Sequence, residues 1–270
     1  MNDIDKRFTG SVPKVYGTFL VPLIFEPYAA DLQARISSIR PSRILEIAAG
    51  TGVVTRALAA TARPDASIVA TDLNQAMLDE AAATGTARPV EWQRADAMAL
   101  PFADNEFDAV ACQFGVMFFP DKAQAFAEAR RVLKPGGVFV FNVWDRISEN
   151  EFANTITNAL AGVFPDDPPR FLMRTPHGYH DVPIIQRDLA AGGFTSSPRI
   201  ETVVARSRAD SARVPAFAYC QGTPLRNEIE ARDASSLDEA TAIAAAAVAQ
   251  QFGADGVEGK IQAHVVTVRK

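Results

Sequence analysis

Two glycines and a series of acidic residues stand at spacings that could bind a charged small molecule. Gly50 and Gly52 follow the apolar run Ile44–Ile47, which is typical of a buried parallel strand. Thr51 is a plausible N-cap, and Val53–Ala60 can form the helix that begins after it. A strand, a glycine turn and a helix N-terminus in this order form the nucleotide-binding corner of doubly wound α/β folds.

Two carboxylates lie beside this turn. Glu46 ends the strand, where a carboxylate would repel a pyrophosphate but could hold an ammonium group. Asp72 ends the next apolar run, about 20 residues after the turn, where an acidic residue can accept hydrogen bonds from both ribose hydroxyls. The alternative is an aspartate that only caps a helix beginning near Asn74. A dinucleotide site needs a third glycine where Thr55 stands, so the pattern favours a nucleoside that carries an amino acid.

Two later strand ends complete the candidate binding edge. Asp96 follows the short strand Val90–Arg94 and could accept a hydrogen bond from an adenine amino group, or it could be a solvated turn residue. The backbone N–H of Ala97 could donate to the adenine ring. Gln113 and Phe114 end the next predicted strand, at the same edge of the sheet as Gly50.

The segment Leu45–Gly52 resembles the first motif of class I S-adenosylmethionine-dependent methyltransferases, with Ala48 in place of the first glycine. An alanine fits that position if its backbone φ is negative. The segment Arg131–Gly137 also resembles a recurring methyltransferase motif, and four ordered motifs lie within residues 43–145. The chain is most similar to the small-molecule branch that includes the ubiquinone/menaquinone-biosynthesis C-methyltransferases.

The resemblance implies S-adenosyl-L-methionine as the cofactor and S-adenosyl-L-homocysteine as its product. The expected cofactor-binding residues lie at the glycine turn and at the following strand ends, with Leu73 and Met77 beside the adenine. They are Glu46, Ala48, Ala49, Gly50, Gly52, Asp72, Leu73, Met77, Asp96, Ala97, Gln113 and Phe114.

The order of strand and helix patterns predicts an α/β fold. We expect a doubly wound, Rossmann-like, seven-stranded sheet with six parallel strands, an antiparallel last strand and helical lid insertions. The predicted divisions are a helical and aromatic cap over residues 1–42, a cofactor-binding core over 43–205 with a lid at 146–180, a second helical insertion at 206–258, and a last core strand at 259–270.

The cap, the lid and the strand that leads into the lid contain the candidate catalytic and substrate-binding side chains. His177 and His180 are candidate general bases because imidazole titrates near neutral pH, and Asp181 could orient either ring. A histidine in a lid is often only a surface or packing residue, and positioning alone can support methyl transfer. Four amphipathic aromatic side chains are candidate substrate contacts: Tyr16, Tyr28, Trp144 and Tyr179.

Composition restricts the class of partner. The formal net charge of −5 argues against nucleic-acid binding, which needs a basic surface. Cys112 and Cys220 form no disulfide or metal-ligand pattern, and the three histidines are too scattered for a metal site. The polar N-terminus is not a signal peptide, and no apolar run is long enough to cross a membrane. We therefore expect a soluble, cytoplasmic protein, while its oligomeric state is left open.

The leading functional prediction is methyl transfer from S-adenosylmethionine to a small, apolar or aromatic molecule by in-line displacement. One alternative is a non-enzymatic protein that binds the cofactor or a partner on the same fold. A second is an NAD(P)-dependent oxidoreductase, which Thr55 disfavours. A methyltransferase that acts on a protein is a further variant.

Overall fold

The computed structural model describes residues 10–270, so the first nine residues of the predicted cap lie outside it. Within this range seven strands form one sheet in the order β3-β2-β1-β4-β5-β7-β6. Strands β1, β2, β3, β4 and β5 are parallel, and β7 is the antiparallel strand that the sequence predicted. The strands are β1 Arg43–Ile47, β2 Ser67–Asp72, β3 Glu91–Arg94, β4 Phe107–Gln113, β5 Leu133–Trp144, β6 Arg199–Ser211 and β7 Asp255–Arg269.

Helices connect most of the strands. A π-helical segment, Tyr16–Phe25, precedes α2 and contains Pro22. The proline has no N–H to give to an α-helical bond, and π-helical turns are frequent at functional sites. The α-helices are α1 Val12–Val15, α2 Glu26–Ile39, α3 Val53–Thr61, α4 Gln75–Thr84, α5 Lys122–Val132, α6 Glu151–Val163, α7 Phe171–Arg174, α8 Val182–Ala191, α9 Arg213–Gln221, α10 Leu225–Arg232 and α11 Leu237–Phe252.

The chain divides into two compact units. The first, which we call the sheet unit, contains Pro27–Val143, Tyr179–Val203 and Ala263–Lys270. The second, the helical unit, contains Trp144–Gly178, Val204–Gln262 and the described residues up to Glu26. These boundaries differ from the predicted ones, because the predicted cap over residues 1–42 is divided between the two units.

Helix α2 belongs to the core of the sheet unit rather than to a cap. Leu32 and Ile36, one turn apart, are fully buried in one cluster with residues of α3 and the central strands. Full burial of such a side chain contributes about 1.5–3 kcal/mol. The cluster is Ala29, Leu32, Ile36, Ile44, Val54, Leu58, Ala59, Ile68, Ala109, Ala111, Val138, Val140 and Val265.

In the helical unit, α11 packs against α6 and α9. The rings of Phe152 and Phe252 meet edge to face with centroids 5.0 Å apart, and those of Phe19 and Phe217 do so at 5.1 Å. Edge-to-face pairs of this kind add to the burial energy of the rings.

Strands β6 and β7 extend into the region predicted as a helical insertion over 206–258. The sequence pattern predicts a sixth strand only over Ile200–Ala205, because charged residues interrupt the apolar alternation after Ala205. In the structure Arg206 and Arg208 both pair with Glu258, and the Arg206 Nε to Glu258 Oε1 distance is 2.6 Å. These ion pairs hold a polar strand extension that hydrophobic periodicity does not reveal.

The proline and two glycines of Leu133–Gly137 predict a turn that precedes a fifth strand, whereas in the structure this segment is an irregularity inside β5. Leu133 pairs with Phe107, whereas Val138 pairs with Ala109, so the register shifts between these two pairs. Gly136 has a φ of +76°, which permits the local bend.

Candidate active site

The glycine turn between β1 and α3 has a left-handed backbone at three positions. Ala48, Gly50 and Gly52 have φ values of +54°, +56° and +80°. The expectation of a negative φ at Ala48 is therefore wrong, because the chain must bend sharply to enter α3. A left-handed alanine costs about 1–2 kcal/mol.

Gly115 makes room for the Ala48 side chain. A Cβ placed on Gly115 would lie 2.4 Å from the Ala48 Cβ, closer than two carbon atoms can approach. The methyl group that Ala48 adds to the turn is thus accommodated by a glycine on another strand end.

Thr51 is not the N-cap of α3. Gly52 occupies that position, and no side chain caps the helix. Thr51 is buried, and its Oγ1 has no hydrogen-bond partner within the described part of the chain. A buried hydroxyl without a partner at the nucleotide-binding corner fits a site that hydrogen-bonds a ligand.

Glu46 and Thr55 form a buried pair under the turn. The Thr55 hydroxyl donates to Glu46 Oε2 at 2.5 Å, and both side chains are excluded from solvent. Burial raises the pKa of Glu46 to about 8. Thr55, which replaces the third glycine of a dinucleotide fingerprint, therefore has a specific role as a donor to Glu46.

Asp72 joins the end of β2 to the glycine turn. Its carboxylate accepts from the Gly50 N–H at 2.9 Å and from the Asn74 N–H at 2.8 Å. Asn74 itself is the N-cap residue of α4, so the alternative role of Asp72 as that cap is wrong. The Asn74 side-chain amide donates to the same oxygen, Asp72 Oδ1, at 3.4 Å. Burial raises the pKa of Asp72, although these hydrogen bonds favour its ionised form.

The predicted adenine-contacting residues differ in exposure. Leu73, directly after Asp72, leaves 40% of its surface in solvent, whereas Met77 is buried with its Cε 3.6 Å from a Cβ placed on Gly50. Ala97 is buried, and the exposed Asp96 accepts from the Met98 N–H at 2.9 Å. This bond stabilises the turn after β3, as in the solvated-turn alternative for Asp96.

The end of β4 is held by a residue that sequence reasoning missed. Phe114 has a φ of +49°, and its N–H donates to Asn142 Oδ1 at 2.9 Å. Asn142 is fully buried in β5 and pairs with Gln113 across the parallel ladder. The signal that could have revealed Asn142 is its amide within the otherwise apolar strand segment that follows Gly137.

Two predicted substrate contacts have their hydroxyls engaged within the sheet unit. Tyr28 is fully buried and donates to the Val203 carbonyl at 3.1 Å, and its ring is perpendicular to that of Phe114 with the centroids 5.2 Å apart. Tyr179 donates to Asp188 Oδ2 at 3.0 Å, and burial raises its pKa. A contact of either residue with a substrate would therefore use the ring.

The other predicted aromatic contacts lie in the helical unit, in a row that ends at His177. Tyr16 stacks on Phe25 at 5.1 Å, Phe25 lies 6.0 Å from Trp144, and Trp144 lies 5.9 Å from the His177 ring. The buried His177 has its Nδ1 2.8 Å from the Asp145 carbonyl oxygen. A carbonyl only accepts, so Nδ1 carries the hydrogen and Nε2 is the basic nitrogen of the neutral ring.

A polar network holds the Asp145 backbone in place. The Asn150 side-chain amide donates to the Asp145 carbonyl at 3.3 Å, and Gln262 Nε2 donates to Asp145 Oδ2 at 2.5 Å. His180 is half-buried and belongs to the sheet unit. Asp181, expected to orient a histidine, instead caps α8 by accepting from the Ile184 N–H at 3.2 Å.

Among residues 10–270, no group of three or more histidine, cysteine, aspartate or glutamate side chains could hold a metal ion. None of the helices in this range has the length and apolar character to span a membrane.

Comparison with known proteins gives the same domain class. Residues 45–141 match the family model described as a methyltransferase domain. The chain is 42% identical over 107 residues to the ubiquinone/menaquinone biosynthesis C-methyltransferase UbiE of Ectopseudomonas mendocina, covering 38% of this chain and 42% of that protein. It is 34% identical over 142 residues to UbiE of Teredinibacter turnerae, covering 51% of each. The chain thus spans about half, or less, of the length of these relatives.

Solved structures share the fold at low identity. Phosphoethanolamine N-methyltransferase 2 of Haemonchus contortus, in complex with phosphomonomethylethanolamine and S-adenosylhomocysteine, has a TM-score of 0.59 at 16% identity, covering 99% of this chain and 59% of that one. The [4+2]-cyclase SpnF has a TM-score of 0.54 at 22% identity, and the match covers 91% of this chain and 81% of SpnF. Because a cyclase shares the fold, the fold alone does not fix the reaction. Residues 45–141 of this chain nevertheless match methyltransferase domains in sequence as well as in fold, and one of the solved structures that share this fold holds S-adenosylhomocysteine.

Proposed function

We propose that this chain transfers a methyl group from S-adenosylmethionine to a small, apolar or aromatic molecule. The observation that carries the proposal is the bond from the Gly50 N–H to Asp72 Oδ2, which joins the glycine turn to the carboxylate at the end of β2. A turn and an acidic residue connected in this way can hold a ribose while the turn backbone lies against the rest of a nucleoside.

Each part of the cofactor has a candidate partner in the sheet unit. Glu46 would hold the ammonium group, since a cation beside a buried carboxyl favours its ionised form. Asp72 would accept from the ribose hydroxyls, and the exposed Leu73 would lie against the adenine together with Met77. The hydroxyl of Thr51 would supply a further hydrogen bond.

Taken by itself, the helical unit contains a candidate base and a row of aromatic rings. When bound, S-adenosylmethionine supplies a methyl group that its sulfonium charge has already activated. The protein then has to position a nucleophile and exclude water. His177 could take a proton from an oxygen or nitrogen acceptor through Nε2, because the Asp145 carbonyl fixes the hydrogen on Nδ1. The row Tyr16, Phe25 and Trp144 favours an apolar or aromatic acceptor.

Calorimetric titration with S-adenosylhomocysteine, with NADH and NADPH in parallel, tests the cofactor. We expect binding of S-adenosylhomocysteine alone, and Asp72→Ala should weaken it about tenfold or more because the ribose loses its acceptor. Asp65→Ala removes an exposed carboxylate of the same unit and should leave the affinity unchanged. Circular dichroism should report a folded protein for both variants.

Unchanged affinity in folded Asp72→Ala would contradict the ribose assignment. Binding of a nicotinamide cofactor instead would favour the oxidoreductase alternative. Binding of S-adenosylhomocysteine without labelled methyl transfer to any acceptor tried would favour a non-enzymatic cofactor-binding protein.

A further inference from the structure

Asn142 carries a buried donor that the fold does not use. Its Oδ1 accepts from the Phe114 N–H, whereas its Nδ2 has no hydrogen-bond partner within the described part of the chain. The side chain is fully buried. A buried polar group without a partner costs about 1–3 kcal/mol, so an amide at this position calls for a partner from outside the fold.

The position of Asn142 indicates which molecule that partner is. Val138 and Val140 of β5 lie in the core cluster, and Asn142 follows at the next position of the same face. Its ladder partner Gln113 is at the carboxyl end of β4. Asn142 therefore lies where the apolar core ends and the carboxyl edge of the sheet begins.

The predicted cofactor residues occupy the carboxyl ends of β3, β2, β1 and β4, in that spatial order. Asn142 is on β5, one strand beyond them, and neighbouring strands are about 4.8 Å apart. The Asn142 side-chain amide lies beyond the last strand that is predicted to contact the cofactor, so its position favours a hydrogen bond to the methyl acceptor over one to the cofactor. This step rests on the proposed function.

We infer that Asn142 Nδ2 donates a hydrogen bond to an oxygen atom of the methyl acceptor, so that the acceptor carries a hydroxyl, enol or carbonyl oxygen at this point. The same side chain holds Phe114 through Oδ1, so one amide orients both the β4 end and the acceptor. The bond fixes the acceptor and lowers the energy of negative charge on its oxygen.

In the transfer, an electron pair of the acceptor forms the new bond to the methyl carbon as the carbon–sulfur bond breaks. The sulfonium becomes a neutral thioether, and the proton that the acceptor loses passes to a base. Asn142 donates a hydrogen bond throughout and exchanges no proton.

The test uses the full chain saturated with S-adenosylhomocysteine, with phenol as the oxygen-bearing probe and toluene as its oxygen-free match. Asparagine side-chain amide signals are followed by NMR, and the Asn142 signal is identified by its loss in Asn142→Leu. We expect millimolar phenol to shift this signal and toluene to leave it in place. At high pH, Asn142→Asp, whose carboxylate still accepts from the Phe114 N–H, should keep the affinity for S-adenosylhomocysteine and bind phenol about tenfold more weakly.

Two further variants separate a binding role from a folding role. Asn142→Asp keeps an acceptor for the Phe114 N–H, and its phenol binding should return as the pH falls, because a protonated carboxyl regains a donor. A purely structural role would not give this pH dependence. Gln33→Leu removes a half-buried amide in α2 and should change neither affinity.

Three results would overturn the inference. One is an Asn142 signal that neither probe moves, and another is an equal response to phenol and toluene. The third is loss of S-adenosylhomocysteine binding in Asn142→Asp, which keeps the acceptor for Phe114; this loss would assign the amide to the cofactor. Failure of the wild-type chain to bind S-adenosylhomocysteine would contradict the proposed function itself and is measured separately.

Discussion

At the scale of single residues, Ala48 replaces a glycine of the methyltransferase motif and Thr55 replaces a glycine of the dinucleotide fingerprint, and each has a particular partner. Ala48 takes a left-handed backbone, and Gly115 leaves the space that its methyl group needs. Thr55, which is bulkier than glycine, uses its hydroxyl to satisfy the buried Glu46. Residue types alone show only that a motif glycine is missing at both positions. The contacts explain why alanine and threonine are tolerated there.

The buried Glu46 should make stability depend on pH. Its pKa rises from 4.5 to about 8 on folding, so the folded state favours the protonated form. This contribution to the free energy of unfolding is complete below the unfolded pKa and is lost as the pH rises through the folded pKa. We expect wild-type stability to fall between about pH 5 and 8, by at most about 1.4 kcal/mol per pH unit.

Glu46→Gln should remove this slope, because a glutamine cannot ionise and can still accept from Thr55. Urea unfolding at several pH values measures the effect, and the advantage of Glu46→Gln should grow towards pH 8. Glu91→Gln, at an exposed position on β3, should follow the wild-type curve. Parallel curves for Glu46→Gln and wild type would contradict a neutral Glu46 in the folded protein.

At the scale of elements, α2 is the helix for which the packing in the structure differs most clearly from the prediction made from the sequence pattern. The aromatic and proline-rich sequence before β1 predicts a cap, yet Leu32 and Ile36 of α2 are buried in the cluster that includes β1, β4 and β5. The amphipathic pattern identifies the helix and its apolar face. It does not identify the surface that covers this face.

Leu32→Ala should therefore reduce the free energy of unfolding by about 2–5 kcal/mol, as expected for a cavity in a packed core. Ile184→Ala, on the outer side of α8 with 37% of its surface exposed, should cost less than about 1 kcal/mol. Urea denaturation of both variants makes the comparison. A similar small cost for both would mean that α2 is a loosely attached cap.

At the scale of the whole molecule, the candidate roles are distributed between two compact units. Every predicted cofactor-binding residue belongs to the sheet unit, whereas His177 and its Asp145 partner belong to the helical unit. Binding and proton transfer should therefore respond to different substitutions.

We expect His177→Ala to keep the affinity for S-adenosylhomocysteine and to lower kcat on an oxygen or nitrogen acceptor, by about 10²–10⁴ if His177 is the base. His180→Ala is the matched variant from the sheet unit. Calorimetry measures the affinity, and labelled methyl transfer measures kcat. Wild-type rates in both variants would mean that neither histidine is the base and that the protein contributes to methyl transfer by positioning the acceptor.

The sequence by itself determined the type of sheet with its antiparallel last strand, the glycine corner and the position of Asp72 at a strand end, because these features follow from local periodicity and from short spacings along the chain. The tertiary structure decided which partners these residues meet. The hydrogen bonds from Phe114 to Asn142 and from His177 to Asp145 join residues about 30 positions apart in the sequence. Gly115 and Ala48, which meet at the glycine turn, are further apart still. Such contacts depend on strand register and packing, which no local pattern encodes.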